Sequence, residues 1–385
     1  MRQKIADIQV LRAIAVILVI SYHAPLYLIH WRLPALERFS AYFGGNAGID
    51  LLFVISGFVI ARTLLERAQG TEPQSFIFFE FWTRRFFRIA PAAGFWLLVT
   101  LLLTLFLNQS GAFGSVQAAA AGSLAAILQA ANIHLAECQG HVECSATQVY
   151  WSLSLQSQFY LIFPVLAALA GHRLASVLAL FVLSQCLVPW LMLPSHFRAT
   201  GFAIGALMAC FARAATYRSF EPTLLEQLPW LRNVVLGFLL LGLASATAPG
   251  LHIVSGNLGY NLLAFLSAAL VFMASFDRQY ILLDGRLKRL LVWIGDRSYA
   301  LYLTHMPAFF LTRELFHRLA PDLTGNSTAM LSYLGCAGML TIALSELSFR
   351  FIEVPLQRRG AQWLALRRQQ EFGQPNGTHH AQQTT

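Results

Sequence analysis

Residues 12–23 read Arg-Ala-Ile-Ala-Val-Ile-Leu-Val-Ile-Ser-Tyr-His, an apolar run closed at each end by an ionisable side chain. As a helix, its eleven residue steps make almost three turns, so Arg12 and His23 share one face, roughly 16 Å apart along the axis. The residues between them suit a segment that crosses a bilayer, where an arginine and a histidine on one stripe are costly to keep. Two explanations stand. Arg12 can snorkel to the headgroups while His23 satisfies a neighbour, or the two belong to an intramembrane polar site.

The rest of the composition agrees with a membrane setting. Of 385 residues, 57% are hydrophobic and only 12% charged, against roughly 25% charged in soluble domains, and the mean hydropathy is +0.57. Several runs reach the ~20 residues that cross a bilayer. The expected fold is all-α, a polytopic transmembrane helical bundle. In such a chain the formal charge of +9 reports topology, and no nucleic-acid partner is expected. Arg2 and Lys4 ahead of an apolar run imitate a signal peptide. Arg12 interrupts that run and no small-x-small cleavage site follows His23, so the first span is read as retained.

About ten spans are expected, near 9–29, 48–66, 87–107, 149–170, 174–193, 199–213, 232–248, 258–276, 291–313 and 328–349. With a cytoplasmic N-terminus, the loops near 61–88, 171–173, 213–232 and 277–290 and the chain from 350 hold nearly all Arg and Lys. The opposite side then shows only Arg32, Arg38, Arg198, Arg313 and Arg318. That bias favours an even number of crossings with both termini cytoplasmic. Counting the Ala-rich stretch 112–134 as a further span would invert every later loop, so it is expected to be a re-entrant or surface helix on the outer face. The transmembrane domain is expected over 1–357, followed by a disordered cytoplasmic tail, 358–385.

The outer loop carries His134, Glu137, Cys138, His141, Glu143 and Cys144. This spacing is not a zinc signature, and the compartment is oxidising, so a Cys138–Cys144 disulfide is preferred and no metal is expected. Cys186, Cys210 and Cys336 lie singly in apolar spans and are expected to pack there.

Three more clusters could carry chemistry. Gly48-Ile-Asp-Leu-Leu-Phe-Val-Ile-Ser-Gly-Phe-Val-Ile60 places Asp50 at the outer mouth of the second span and Ser56 near its middle. Ser56 lacks the G-x-S-x-G setting of an esterase nucleophile. It suits a helix–helix hydrogen bond, or a close approach helped by Gly57. Phe81-Trp-Thr-Arg-Arg-Phe-Phe-Arg-Ile-Ala-Pro91 puts Arg85 and Arg88 on one helix face, either as a clamp for phosphate oxygens or as ordinary anchors at the positive side. Gly295-Asp-Arg-Ser-Tyr-Ala-Leu-Tyr-Leu-Thr-His-Met-Pro307 adds His305 inside a span, beside a helix-kinking proline.

Together, Arg12-x10-His23, the Gly48–Phe58 run, Arg84-Arg85-x-x-Arg88-Ile-x-Pro91, Tyr150-Trp-Ser-Leu…Gln158-Phe-Tyr160, Ser298-Tyr-x-Leu-Tyr-Leu-x-His305 and Phe351-Ile-Glu-x-Pro355 resemble the acyltransferase family 3 membrane proteins. The motifs occur in the family's order over residues 5–357. The resemblance implies a ten-span bacterial inner-membrane enzyme that moves an acyl group, usually acetyl from acetyl-coenzyme A, onto a hydroxyl of a cell-surface glycan or another exported acceptor. It implies His23 and Arg12 as the catalytic pair and Arg85 and Arg88 as donor-binding residues. Asp50, Ser56, Trp151, Ser152, Tyr302, His305 and Glu353 fall in its motifs as supporting positions. No tightly bound cofactor is implied; acyl-coenzyme A is a substrate.

The pattern departs in one place. The family's Trp-Ser-Leu-x-x-Glu ends here in Gln156, which removes a possible charge partner for an arginine or a histidine. Some relatives carry a soluble esterase-like domain after the membrane part, and this chain is too short to hold one. Histidine suits the chemistry, since attack by a hydroxyl on a thioester needs a base with a pKa near the working pH. The rival class is a transporter or flippase using the intramembrane Arg and His as a substrate or proton path. No inverted repeat or pair of broken helices supports it.

Overall fold

The computed structural model describes residues 4–29, 31–138, 143–187, 197–248, 256–321 and 327–373, and every regular element among them is helical. Helix α1 (Ala6–His23) passes into a π-helical turn, Ala24–Leu28, before α2 (Pro34–Tyr42). Next come α3 (Ala47–Arg67), the 33-residue α4 (Gln74–Phe106), and two short helices, α5 (Val116–Ile127) and α6 (Ala131–Cys138). A turn at Gly171, with φ of +51°, separates α7 (Tyr150–Ala170) from α8 (Leu174–Leu187). After α9 (Thr200–Phe211) come α10 (Thr223–Gln227), α11 (Pro229–Ser245) and α12 (Gly256–Ser275). The chain closes with α13 (Arg286–Asp296), α14 (Ser298–Leu319), α15 (Ser327–Ser348), a second π turn (Phe349–Glu353) and α16 (Val354–Phe372).

Six helical stretches are long and apolar enough to cross a membrane, or seven if the bent pair Ala215–Gln227 and Pro229–Ser245 is one span. The expected count of ten is not reached by this measure, for identifiable reasons. The 38-residue stretch Tyr150–Leu187 contains two of the expected crossings, on either side of Gly171. Helix α9 has only 12 residues. The expected span 291–313 is broken at Arg297, between α13 and α14.

Two other expectations meet the structure directly. Helix α5, at 12 residues, is roughly 18 Å long, too short for a ~30 Å hydrocarbon core, so 112–134 is not a full span. Residues 358–372, expected to be disordered, are instead helical in α16, which packs on α4 through Trp363 against Phe79 and Phe372 against Phe76. Aromatic contacts along the first part of α4 supply the apolar surface that a tail of such polar composition lacks. Residues 374–385 lie outside the described residues.

Small residues bring the central helices together. A Cβ on Gly57 would lie 2.2 Å from the Phe202 carbonyl oxygen, and one on Gly205 would lie 2.2 Å from that of Val54. Helices α3 and α9 therefore touch backbone to backbone, the close approach expected at Gly57. Cys138 and Cys144 form the expected disulfide, while His141 lies outside the described residues. Cys186 is exposed, not packed, because α8 turns that face away from the bundle.

Candidate active site

His23 is the last α-helical residue of α1. Pro25 has no N–H to continue the α pattern, and the chain widens into a π turn closed by Ile29 N–H donating to the Ala24 carbonyl at 3.1 Å. Turns of this kind recur at functional sites because they re-aim the neighbouring side chain. Here His23 meets His305 of α14. Their ring planes are 6° from parallel with centroids 5.1 Å apart, and His23 Nδ1 lies 2.8 Å from His305 Nε2, so the rings meet edge to edge through these nitrogens.

The hydrogen-bond chain sets the tautomers. His305 is fully buried, and its Nδ1 lies 2.7 Å from the Tyr302 carbonyl. A carbonyl oxygen can only accept, so Nδ1 of His305 carries the proton and its Nε2 is an acceptor when the ring is neutral. His23 Nδ1–H then donates to that acceptor, which leaves the lone pair of His23 on Nε2. Tyr302 is fixed in turn. Its hydroxyl donates to the Val149 carbonyl at 2.7 Å and pairs with Ser152 Oγ at 2.7 Å, tying α14 to the start of α7. Tyr22 and Tyr27 flank His23, with ring centroids 5.7 and 5.5 Å away.

The arginines gather elsewhere along α1. A small cavity of about 80 Å³ is lined by Arg12, Arg85 and Arg88, with Ser56, Ser152, Gln156, Tyr160 and Tyr302 among its other walls. A larger one of about 350 Å³ shares Arg12 and Arg88 with it and adds Lys4, Arg62 and Glu353. The two cavities thus adjoin across Arg12 and Arg88. Arg85 lies over the rings of Phe81 and Tyr160, at 5.6 and 5.5 Å. Arg84 points elsewhere and pairs with Glu80 at 2.6 Å. The shared face predicted for Arg85 and Arg88 is therefore the one turned to the cavity.

Gln156 donates to Ser56 Oγ at 2.9 Å and to the Tyr160 hydroxyl, and so supplies the helix–helix hydrogen bond expected of Ser56. It lines the small cavity beside the three arginines. The carboxylate that the family usually has here would have faced arginine, not histidine, and no carboxylate lines this cavity among the described residues.

Asp50 lies in the first turn of α3. It is buried, with Oδ1 3.4 Å from Arg198 Nε, and the Arg198 guanidinium lies 4.1 Å from the Tyr260 ring centroid and 5.4 Å from that of Trp151. Neither histidine is among the residues lining the two arginine cavities. Tyr302 links the regions, its side chain on the small cavity and its carbonyl on His305. Arg198, Gln9 and Tyr299 were not singled out from the sequence; a lone arginine beside a short apolar stretch offers no spacing to read.

Comparison with known proteins places nearly the whole chain among its relatives. The chain is 27% identical to the peptidoglycan O-acetyltransferase OatA of Listeria monocytogenes over 384 residues, covering 93% of this chain and 57% of that one. It is 26% identical to the O-acetyltransferase OatA of Staphylococcus aureus over 371 residues, 91% of this chain and 57% of the relative. The chain thus spans little more than half the length of these relatives. No solved structure matches it. The family model described as Acyltransferase domain matches residues 5–346, which include the histidine pair and all three cavity arginines, and the chain belongs to this acyltransferase family 3.

Proposed function

We propose that the chain is a membrane-bound O-acyltransferase that moves an acetyl group from acetyl-coenzyme A to a hydroxyl of a cell-surface glycan, with His23 as general base. The observation that carries this reading is the chain from the Tyr302 carbonyl through His305 to His23, which leaves the free lone pair on His23 Nε2. In the reaction, Nε2 takes the proton of the acceptor hydroxyl as its oxygen attacks the thioester carbon. The tetrahedral intermediate expels the thiolate, and the imidazolium returns the proton to it, giving coenzyme A and the ester.

Arg12, Arg85 and Arg88 hold the phosphates of the donor, a role supported by their shared cavity and the fit of guanidinium to phosphate. Arg12 lies roughly 16 Å along α1 from His23, a span for the extended arm between the phosphates and the thioester of coenzyme A. On this reading the arginine end faces the cytoplasm, as do both termini. The helices cross the bacterial inner membrane ten times, and the disulfide lies outside. The O-acetyltransferase activity of the relatives, on peptidoglycan in the Listeria protein, supports transfer to peptidoglycan or a similar polysaccharide over transport.

The test supplies purified protein with acetyl-coenzyme A and soluble peptidoglycan fragments, and follows free thiol together with acetylated product by mass spectrometry. Acceptor-dependent thiol release matching ester formation is expected. Ester formation from another donor, with no thiol released from coenzyme A, would overturn the donor assignment.

A further inference from the structure

Two residues that line the larger arginine cavity, Glu353 and Gln9, each carry a buried acceptor atom with no hydrogen-bond partner among the described residues. Glu353 is 3% exposed and Gln9 is 6% exposed, and the unpartnered atom is Oε1 of each. Both residues line the 350 Å³ space, together with Arg12, Arg88, Arg62, which pairs with Glu66 at 3.1 Å, and Lys4, which pairs at 2.8 Å with Asp296 of the same lining. Their backbones are held firmly. A Cβ on Gly295 would lie 2.0 Å from the Gln9 carbonyl oxygen, so α13 presses directly on α1 at this residue. Glu353 ends the second π turn, with Pro355 following in the first turn of α16.

A buried acceptor without a donor is costly and calls for an explanation. A bare phosphate would not supply one, because its oxygens also accept and would be repelled by the Glu353 carboxylate. Cations beside unsatisfied acceptors instead match a ligand that is anionic in one part and rich in N–H or O–H donors in another. The volume lies in the range of pockets that enclose small molecules.

We propose that this cavity binds the nucleotide portion of the acyl donor, with Arg12 and Arg88 on its phosphates and with Glu353 and Gln9 accepting hydrogen bonds from its base amine and ribose hydroxyls. The proposal rests on the acyl-coenzyme A reading above and adds the residues that would recognise an adenosine nucleotide rather than any polyanion. Glu353 and Gln9 touch the ligand far from the reacting thioester, so their effect falls on binding.

The experiment measures binding of adenosine 3′,5′-bisphosphate and of inorganic pyrophosphate to purified full-length protein by calorimetry, for the wild type, Glu353→Met and Gln9→Met. Each methionine variant should weaken the nucleotide on the order of 10-fold. Pyrophosphate should bind Gln9→Met as it binds the wild type, and bind Glu353→Met equally or more tightly, since a negative charge has gone. If Glu353 is only a counter-ion to Arg88, removing it tightens both ligands, and that outcome overturns the proposal while leaving the donor reading intact. Should Glu353→Met fail to fold, Gln9→Met decides alone: unchanged nucleotide affinity refutes the role. A wild-type protein that binds neither coenzyme A nor the bisphosphate removes the donor reading and this proposal together.

Discussion

His23 Nδ1 stands 2.8 Å from His305 Nε2 although 282 residues separate them in the chain. The contact joins the end of α1 to the middle of α14 and makes one imidazole the orienting partner of the other. His305 is itself held by a carbonyl, and among the described residues no hydrogen bond or ion pair joins either ring to a carboxylate. The arrangement fixes a tautomer and favours one proton on His23 at a time.

On the proposed mechanism His305 acts through His23. His305→Ala should leave the protein folded and cut kcat by about 10- to 100-fold, because His23 loses the acceptor that selects its tautomer. Donor KM should change little. The acid limb of the pH profile should move, whereas a merely structural role would lower activity at every pH alike. His305→Gln, which can still offer an acceptor oxygen, should retain more activity than the alanine variant.

The arginines separate binding from chemistry. Arg85→Ala and Arg88→Ala should each raise the donor KM by at least 10-fold, in keeping with the ~1.5–3 kcal/mol typical of a charge-assisted hydrogen bond. Lysine at either position should restore only part of the affinity, since a point charge does not reproduce a bidentate fork. Unchanged donor KM in both alanine variants would return them to the role of membrane anchors.

Much of this site was legible in the sequence, and the limits have physical causes. Helical periodicity placed Arg12 with His23 and Arg85 with Arg88 on common faces, because a 3.6-residue repeat relates residues within one helix. It carries no information on which helix a face meets, so the meeting of His23 with His305 and the place of Gln156 beside the arginines appear only in three dimensions. The expected spans and those long and apolar enough by the structure differ where polarity and length part company: α9 is apolar but short, and α14 carries Arg313 and Glu314 near its end. The helical character of 358–372 was hidden by its low hydrophobicity, since its stability comes from Phe79 and Phe76 of another helix.

The α3–α9 contact makes a stability prediction independent of catalysis. Gly57→Ala would press a methyl group against the Phe202 backbone, which lies 2.2 Å from the ideal Cβ position and cannot rotate away. Overpacking of this kind costs about 1–3 kcal/mol. The variant should unfold in detergent several degrees below wild type. An unchanged melting temperature would mean that the two helices can separate at no cost.

The central claim is that His23 is the base, and the rate of acyl transfer by His23→Ala tests it most directly. With the protein present in membranes at wild-type level, this account predicts a loss on the order of 10²–10⁴-fold in rate. In the wild type the rate should fall as the pH drops through the histidine range, because the protonated ring has no lone pair to accept the hydroxyl proton. That limb should be absent from any residual activity of the variant. A folded, well-expressed His23→Ala protein that acylates its acceptor at near wild-type rate would contradict the account.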